Sequence, residues 1–299
     1  VTPTLNQAGF IRETIESVLG QDHPGLEYIV VDGGSTDGTR AILQSYQDRL
    51  RFVSHPGEGQ AASINAGFAM ASGQVLAWIN SDDRYREGAV SRAAGFLGAH
   101  PEIDVMYGGC GYIDARGEPL AVYPTGAPDF PRWIETIANG IPQPAAFARR
   151  SALESVGFLD PSLDFVLDFD LWLRLALEER TFAYVDATLA DLRLHDGAKS
   201  VRALTGFASE LQRCYERVLT SPRLPPGVRQ DRAWSNLHYR AAQLLFWGGD
   251  TAGARDQALQ AVRCSPFNVR PTLLYALAGR PARGILDVLR GNPFRLGMR

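Results

Sequence analysis

Two adjacent carboxylates, Asp82 and Asp83, close the stretch Val75-Leu-Ala-Trp-Ile-Asn-Ser-Asp-Asp83. The five apolar residues leading into Asn80 suit a strand buried on both faces of a parallel sheet. The end of such a strand is where open α/β sheets hold their ligands. Side by side the two charges repel, and burying either costs roughly several kcal/mol unless a cation or hydrogen bonds offset it. Oxygen-only ligands favour a hard divalent ion, Mg or Mn, over zinc. The same residues also suit a solvated turn with a helix-capping aspartate, and the rest of the chain has to decide between the two.

The elements that would position the pair alternate strand and helix. Val1-Thr2 reads as the end of a strand, and an upstream piece is expected because the sequence starts at Val1 rather than Met. An amphipathic helix follows over about Ala8 to Leu19, with Ile11, Ile15, Val18 and Leu19 on one face. Residues 27–32 predict a buried strand ending in Asp32. The turn Gly33-Gly-Ser-Thr-Asp-Gly-Thr39 comes next, in which Ser35, Thr36 or Asp37 caps the following helix. A short strand over 51–55, the loop Pro56-Gly-Glu-Gly-Gln60 and a helix over 61–71 lead back to the opening strand. This order predicts a right-handed parallel sheet. Thr2-Pro3, Asp32, His55 and Asp82-Asp83 would then face one crevice.

After a helix over 87–99 the pattern becomes mixed. Short strands are expected at 105–107, 111–113, 120–123, 145–148, 182–185 and 188–194, with helices at 129–138, 151–156 and from Asp168 onward. From about Thr205 the chain reads helical. Residues 231–247 and 252–264 form one hairpin of the tetratricopeptide kind, which without neighbours makes an accessory cap. The last 30 residues hold six arginines against one acid, Asp287, and suit a solvated tail, a packed helix or a membrane-surface patch.

Composition narrows the classes. A chain of 299 residues with net charge −3 has no global basic signature for nucleic acid. Cys110, Cys214 and Cys264 lack C-x-x-C spacing, which argues against a disulfide framework or zinc site and fits a reducing compartment. No apolar run approaches the ~18 residues needed to span a bilayer, and no signal-peptide pattern opens the chain.

Five motifs, in order, resemble the family 2 glycosyltransferases of the GT-A fold. They are Pro3-Thr-Leu-Asn6; Tyr28-Ile-Val-Val-Asp-Gly-Gly-Ser-Thr-Asp-Gly-Thr39; Gly59-Gln60 with Asn65-Ala-Gly67; Ala77-Trp-Ile-Asn-Ser-Asp-Asp83; and Asp168-Phe-Asp-Leu-Trp-Leu-Arg174. The resemblance runs from Val1 to about Ser200. It implies an α/β fold, a mostly parallel Rossmann-like sheet flanked by helices, with a helical C-terminal extension. The transferase domain would cover 1–203, as a nucleotide-binding half (1–100) and an acceptor-side half (101–203), with 204–299 the helical region. The implied reaction is an inverting transfer of a sugar from a nucleotide diphosphate, usually UDP, helped by Mg or Mn. The acceptor is a hydroxyl of a saccharide or lipid-linked molecule, and nucleic acid is not a partner. The expected location is cytoplasmic, or peripheral at the inner membrane face through the basic tail.

The resemblance also implies residue roles. Asp32 would hydrogen-bond the nucleobase, with Pro3 and Thr4 packed against it and Asn6, Glu58 and Gln60 completing the nucleotide site. Asp82 would lie near the ribose, Asp83 would bind the metal, and His195 would approach metal or phosphate. Asp168 would be the general base, in competition with Asp170, for which a cap or structural hydrogen bond is expected. The chemistry is consistent: inversion needs a base opposite the leaving group and positive charge on the departing diphosphate. Two departures stand out. The family's Glu-Asp reads Leu167-Asp168 here, and Glu58 stands where relatives often have Asp.

His23, His55, His100 and His238 read as surface or structural, and Trp78, Trp172 and Trp247 as core. Gly57-Glu-Gly-Gln-Ala-Ala62 fits G-x-G-x-x-A with Asp82 about twenty residues on, which supports an NAD-dependent oxidoreductase as an alternative. That fingerprint sits on the third strand, however, and leaves Asp83 without a role. A catalytically idle sugar-nucleotide binder is the remaining alternative.

Overall fold

The computed structural model describes residues 1–195, 197 and 204–266. The basic tail, Arg270 to Arg299, lies outside the described residues. Contacts divide the chain into two compact units. One is Val1–Pro128 with Gly140–His195, the other Asp129–Asn139 with the described part of Asp196–Arg299.

In chain order the elements begin with β1 (Thr2–Thr4), α1 (Ile11–Leu19), β2 (Ile29–Asp32), α2 (Thr39–Gln44), β3 (Arg51–Ser54) and α3 (Gly59–Met70). Next come β4 (Val75–Leu76), β5 (Arg84–Tyr85), α4 (Ala89–Ala99), β6 (Val105–Ile113), β7 (Pro119–Val122) and α5 (Phe130–Thr136). The first unit ends with β8 (Ala146–Arg149), α6 (Arg150–Ser155), α7 (Leu167–Leu177) and β9 (Phe182–Arg193). Helices α8 (Leu204–Leu219), α9 (Gln230–Trp247) and α10 (Thr251–Cys264) complete the described chain.

Strands β1, β2 and β3 form a parallel sheet whose register sets Thr4 beside Asp32 and Asp32 beside Ser54. The second sheet has the order β4-β8-β6-β9-β5, with β7 on β6. Only β6 and β9 run parallel in it. The predicted strand over 75–79 is divided between the two sheets. Its first two residues, β4, ladder with β8, while the Val1 nitrogen donates to Ala77 O and the Ile79 N–H to Val1 O, both at 2.9 Å. The chain after β4 therefore continues the parallel pairing beyond β1 and delivers residues 80–83 to the same edge as Asp32.

Strand β6 replaces two predicted short strands with one of nine residues. Gly108-Gly-Cys-Gly111 looks like a break, yet β9 lies very close. A Cβ on Gly108 would sit 2.6 Å from Ala187 O, and one on Gly111 2.6 Å from Asp191 Oδ1. Glycine here admits a neighbour, and the register shifts at Gly108 and Gly109 mark bulges.

Helix α1 buries Ile11, Ile15 and Val18 in a core shared with Val30, Leu43, Ile79, Met106 and Phe147. The side chains of Arg149 and Arg150 close two helices. Arg149 donates to Leu97 O and His100 O at the end of α4. Arg150 donates to Phe68 O, Ala71 O and Gly73 O at the end of α3. Each cation thus meets orphan carbonyls at the negative end of a helix.

In the second unit α9 and α10 pack through small residues. Ala233, Ala241, Ala242, Ala254, Ala258 and Ala261 are fully buried, and Ser235 Oγ donates to Ala261 O at 2.9 Å. Glu135, on α5, accepts from Arg229 and Arg232. Among the described residues no helix is long and apolar enough to cross a membrane.

Candidate active site

Asp32 ends β2 almost fully buried. Its two oxygens accept from the Ser35 N–H at 3.1 and 3.3 Å, and the Arg40 guanidinium stands 3.8 Å away. Buried atoms without a hydrogen-bond partner occur on both flanking strands, Thr4 Oγ1 on β1 and His55 Nδ1 just after β3. A buried polar group left unpaired costs about 1–3 kcal/mol, so both atoms have something to gain from a ligand. The His55 N–H donates to Asp32 O at 2.8 Å, and its Nε2 lies 3.5 Å from Glu58. The sequence places His55 at a strand end on the crevice edge, yet its reading as surface or structural gives it no site role.

Pro3 pairs with Val31 in the middle of the β1–β2 register. Asn6 has a left-handed backbone (φ 54°), a conformation that asparagine tolerates better than most residues. Its Oδ1 accepts from the Thr36 N–H at 2.8 Å, while Ser35 Oγ accepts from the Asn6 N–H at 2.8 Å. Thr39 and Asp37 likewise accept from the Gln7 and Ala8 N–H groups. The Gly33–Thr39 motif therefore spends its side chains on locking the loop after β1.

The carboxylate pair is built from three distant segments. Asp83, 2% exposed, accepts on Oδ1 from the Arg193 N–H at 2.8 Å and on Oδ2 from the Asn80 amide at 3.3 Å. Burial, then the neighbouring Asp82, push its carboxyl well above the usual range, against those hydrogen bonds. Asp82 Oδ2 meets His195 Nε2 at 3.0 Å, and Phe10 packs against the imidazole at 4.6 Å. The buried Arg193 braces this loop by donating to Asp82 O, Asp114 O and Glu13. Arg84 joins Glu13 to Asp191, which also accepts from Arg86. On the other side Asn80 links Gln60 Nε2 (2.9 Å) and Gln143 Oε1 (3.2 Å) to the pair. Arg193, Asn80, Gln143 and Glu13 were missed from sequence. Asn80 sits within a motif already singled out and Arg193 two residues before His195, whereas Gln143 and Glu13 carry no local signal.

Asp168 lies half-buried in the first turn of α7. Leu167, where the family pattern has Glu, is buried. Asp170 is fully buried and accepts from Arg174 Nε at 2.7 Å, and Arg174 also donates to Val156 O and Phe158 O. The Asp170–Arg174 part of the motif therefore anchors α7. Trp172 stacks on Trp78 at 5.8 Å, seating α7 against the segment that leads to Asn80. Burial, then Asp83, push the Cys110 thiol up. Burial, then Tyr112, Asp168 and Cys110, push the Tyr123 phenol up.

The pattern of Glycosyl transferase family 2 matches residues 1–157, more than half of the chain. The chain belongs to this family. A curated relative from Rickettsia typhi, described as an uncharacterized glycosyltransferase, is 27% identical over 218 residues, 68% of this chain and 66% of that protein. Against two further Rickettsia relatives the chain spans 57% and 35% of their length. Among solved structures, residues 1–349 of S. aureus TarS, crystallised with UDP-GlcNAc, align at TM-score 0.67 and 21% identity. That alignment covers 99% of this chain and 90% of TarS 1–349. The mannosyltransferase PcManGT of Pyrobaculum calidifontis, with GDP-Man and Mn2+, aligns at TM-score 0.61 and 17% identity over 99% of this chain and 81% of its own. The family 2 chain thus has the GT-A fold of these glycosyltransferases.

Proposed function

We propose that this family 2 member transfers a sugar, with inversion, from a UDP-type donor to a hydroxyl of a saccharide or lipid-linked acceptor. The observation that carries the reading is the meeting at 80–83, where His195, 113 residues away, contacts Asp82, and the Arg193 N–H contacts Asp83. In this reading Asp32 accepts a base N–H, Pro3 and Thr4 lie against the base, and His55 flanks it. Asn6, Glu58 and Gln60 complete the nucleotide side, and Asp82 faces the ribose. The nucleotide sugars bound by TarS and PcManGT support the donor class.

The donor chemistry of the pair suits a hard divalent ion. Among the described residues no three acidic, histidine or cysteine side chains converge into a self-sufficient metal site. Mg or Mn needs none, because it is commonly held by one or two carboxylates plus substrate phosphates and water. Asp83, buried beside a like charge, gains from a cation. Asp83 and His195 would hold the ion, which supplies positive charge for the departing diphosphate. Asp168 takes the acceptor hydroxyl's proton while the bond from that oxygen to the sugar's anomeric carbon forms. The bond from that carbon to the phosphate oxygen breaks on the opposite face, and nucleoside diphosphate leaves with the electron pair. Loss of the family Glu at Leu167 leaves Asp168 as the one carboxylate in that dipeptide.

The loop over 57–62 opens α3, but it does so within a transferase family, which removes the basis for the oxidoreductase alternative. Calorimetry with UDP, with and without Mn, and a nucleotide-sugar screen reading released nucleoside diphosphate test the proposal. Mn-dependent UDP binding together with turnover is expected. Binding without turnover for any donor and acceptor would favour an idle binder, and NAD binding in place of UDP would sink the reading.

A further inference from the structure

Asn80 is the crossing point of a chain of amide hydrogen bonds whose polarity is set by a backbone carbonyl. At the far end Gln143 Nε2 donates to Trp78 O at 2.6 Å. Asn80 Nδ2 donates to Gln143 Oε1 at 3.2 Å and to Asp83 Oδ2 at 3.3 Å. Asn80 Oδ1 accepts from Gln60 Nε2 at 2.9 Å. A carbonyl oxygen can only accept, so Gln143 has to turn its nitrogen toward Trp78 and its oxygen toward Asn80. Asn80 must then turn its nitrogen toward Gln143 and Asp83, and its oxygen toward Gln60. Flipping either amide would set oxygen against oxygen, and unpaired polar groups withdrawn from water are costly.

Gln143 is built to hold that polarity. It is buried and opens a single 3-10 turn, Gln143–Ala145, between Pro142 and Pro144. The Ala145 N–H closes the turn on Pro142 O at 3.0 Å, and the two prolines fix the backbone φ on either side of Gln143. Strand β8 follows at once and ladders with β4, the start of the segment that carries Trp78 and Asn80. The two oxygens of Asp83 are tethered differently. Oδ1 accepts from the backbone N–H of Arg193, the last residue of β9, at 2.8 Å. Oδ2 accepts from the Asn80 side chain, whose own orientation depends on Gln143.

We infer that Gln143 is a positioning residue: acting through Asn80, it fixes the plane of the Asp83 carboxylate for the cation. The inference rests on the transferase reading and deepens it at the cation site. Gln143 touches neither cation nor nucleotide in this role. Its effect comes from holding a ligand ready, since partners that orient a metal-binding carboxylate strengthen the metal's hold. Asn80 is the junction, with the nitrogen of its amide on Asp83 and the oxygen on Gln60 of the nucleotide side.

The test titrates Mn into the full chain saturated with UDP, by calorimetry, with UDP affinity in EDTA and the melting curve as controls. Gln143→Met keeps an unbranched side chain of similar length and removes both amide bonds. It should weaken Mn about tenfold and leave UDP affinity in EDTA unchanged. Asn80→Ala should weaken Mn about ten- to a hundredfold, and UDP in EDTA as well, because Gln60 loses its acceptor. Combining the two should give the Mn affinity of Asn80→Ala alone, because Gln143 acts through Asn80. Unchanged Mn affinity in Gln143→Met overturns the inference. So does a further loss in the double variant, which a merely structural glutamine would produce. Should Gln143→Met fail to fold, Gln143→Leu is read by the same criteria, and unchanged Mn affinity in Asn80→Ala overturns the inference without either. Absence of any Mn effect on UDP binding in the parent brings down the cation site and the transferase reading with it, whereas the other failures leave that reading standing.

Discussion

Asp32 and Asp83 are both buried carboxylates at one edge of the sheet, and their surroundings could hardly differ more. Asp32 receives two bonds from the Ser35 N–H and has Arg40 3.8 Å off. Thr4 Oγ1 and His55 Nδ1 wait unpaired on the neighbouring strands. Asp83 receives one backbone N–H and one long amide bond, and the charge that acts on it most strongly is the like charge of Asp82. The first site is electrostatically settled and flanked by unfilled hydrogen-bonding groups, which suits a neutral heterocycle. The second has a charge deficit, which suits a cation. One sheet edge thus holds two carboxylates in opposite surroundings, and the difference lies in the neighbours, since the residue type is the same.

Three substitutions break this comparison in different places. The largest effect should come from Asp168→Asn, which touches neither carboxylate: turnover falls by about a hundred- to ten-thousandfold, while UDP affinity stays within about twofold. Asp170→Asn is its control. That change removes a buried partner of Arg174 and should cost about 3 kcal/mol of stability by thermal melting. If Asp170→Asn instead abolishes transfer without lowering the melting temperature, the base is misassigned.

Next in size are the two carboxylates themselves, read by UDP calorimetry. Asp83→Asn should erase the gain in affinity that Mn confers and change nothing in EDTA. Asp32→Asn should weaken UDP about ten- to a hundredfold, the worth of a charge-assisted hydrogen bond, and equally with Mn and with EDTA. Should both variants lose affinity only when Mn is present, the division into base site and cation site fails.

The order of elements was legible because hydrophobic period and turn chemistry agree along the first hundred residues. Residues 29–32 and 51–54 are strands within the expected 27–32 and 51–55, and the helices at 11–19 and 59–70 fall within a few residues of expectation. Pairing was harder to read. The segment 75–79 changes partner from β8 to Val1, just ahead of β1, within five residues, a division set by contacts 70 or more residues away. The glycines of β6 mimic a turn because their purpose, admitting β9, is tertiary. At the site, residues that carry charge at strand ends were visible. The side chains that orient them were not, since Gln143 lies between two prolines and Glu13 is a half-exposed helix carboxylate whose partners, Arg84 and Arg193, are far along the chain.

The smallest expected effect tests the comparison most directly. In metal-free protein Asp83 is a buried charge beside a like charge, so Asp83→Asn should raise the melting temperature, by about 2–4 °C for ~1 kcal/mol in a unit of this size. Asp32→Asn should lower it, because Asp32 already has its donors. The pH dependence carries the same sign. Asp83's carboxyl is raised in the folded protein, so the folded state holds that proton more tightly than the unfolded chain. Its penalty is absent below the unfolded value of about 3.9 and grows as pH rises toward the folded one. The melting curves of the parent and Asp83→Asn should therefore converge in acid and separate toward neutral pH. Adding Mn to the UDP-saturated proteins should narrow the gap, because only the parent gains affinity from the metal. A constant gap at every pH would mean that Asp83 is not the strained member of the pair of sites.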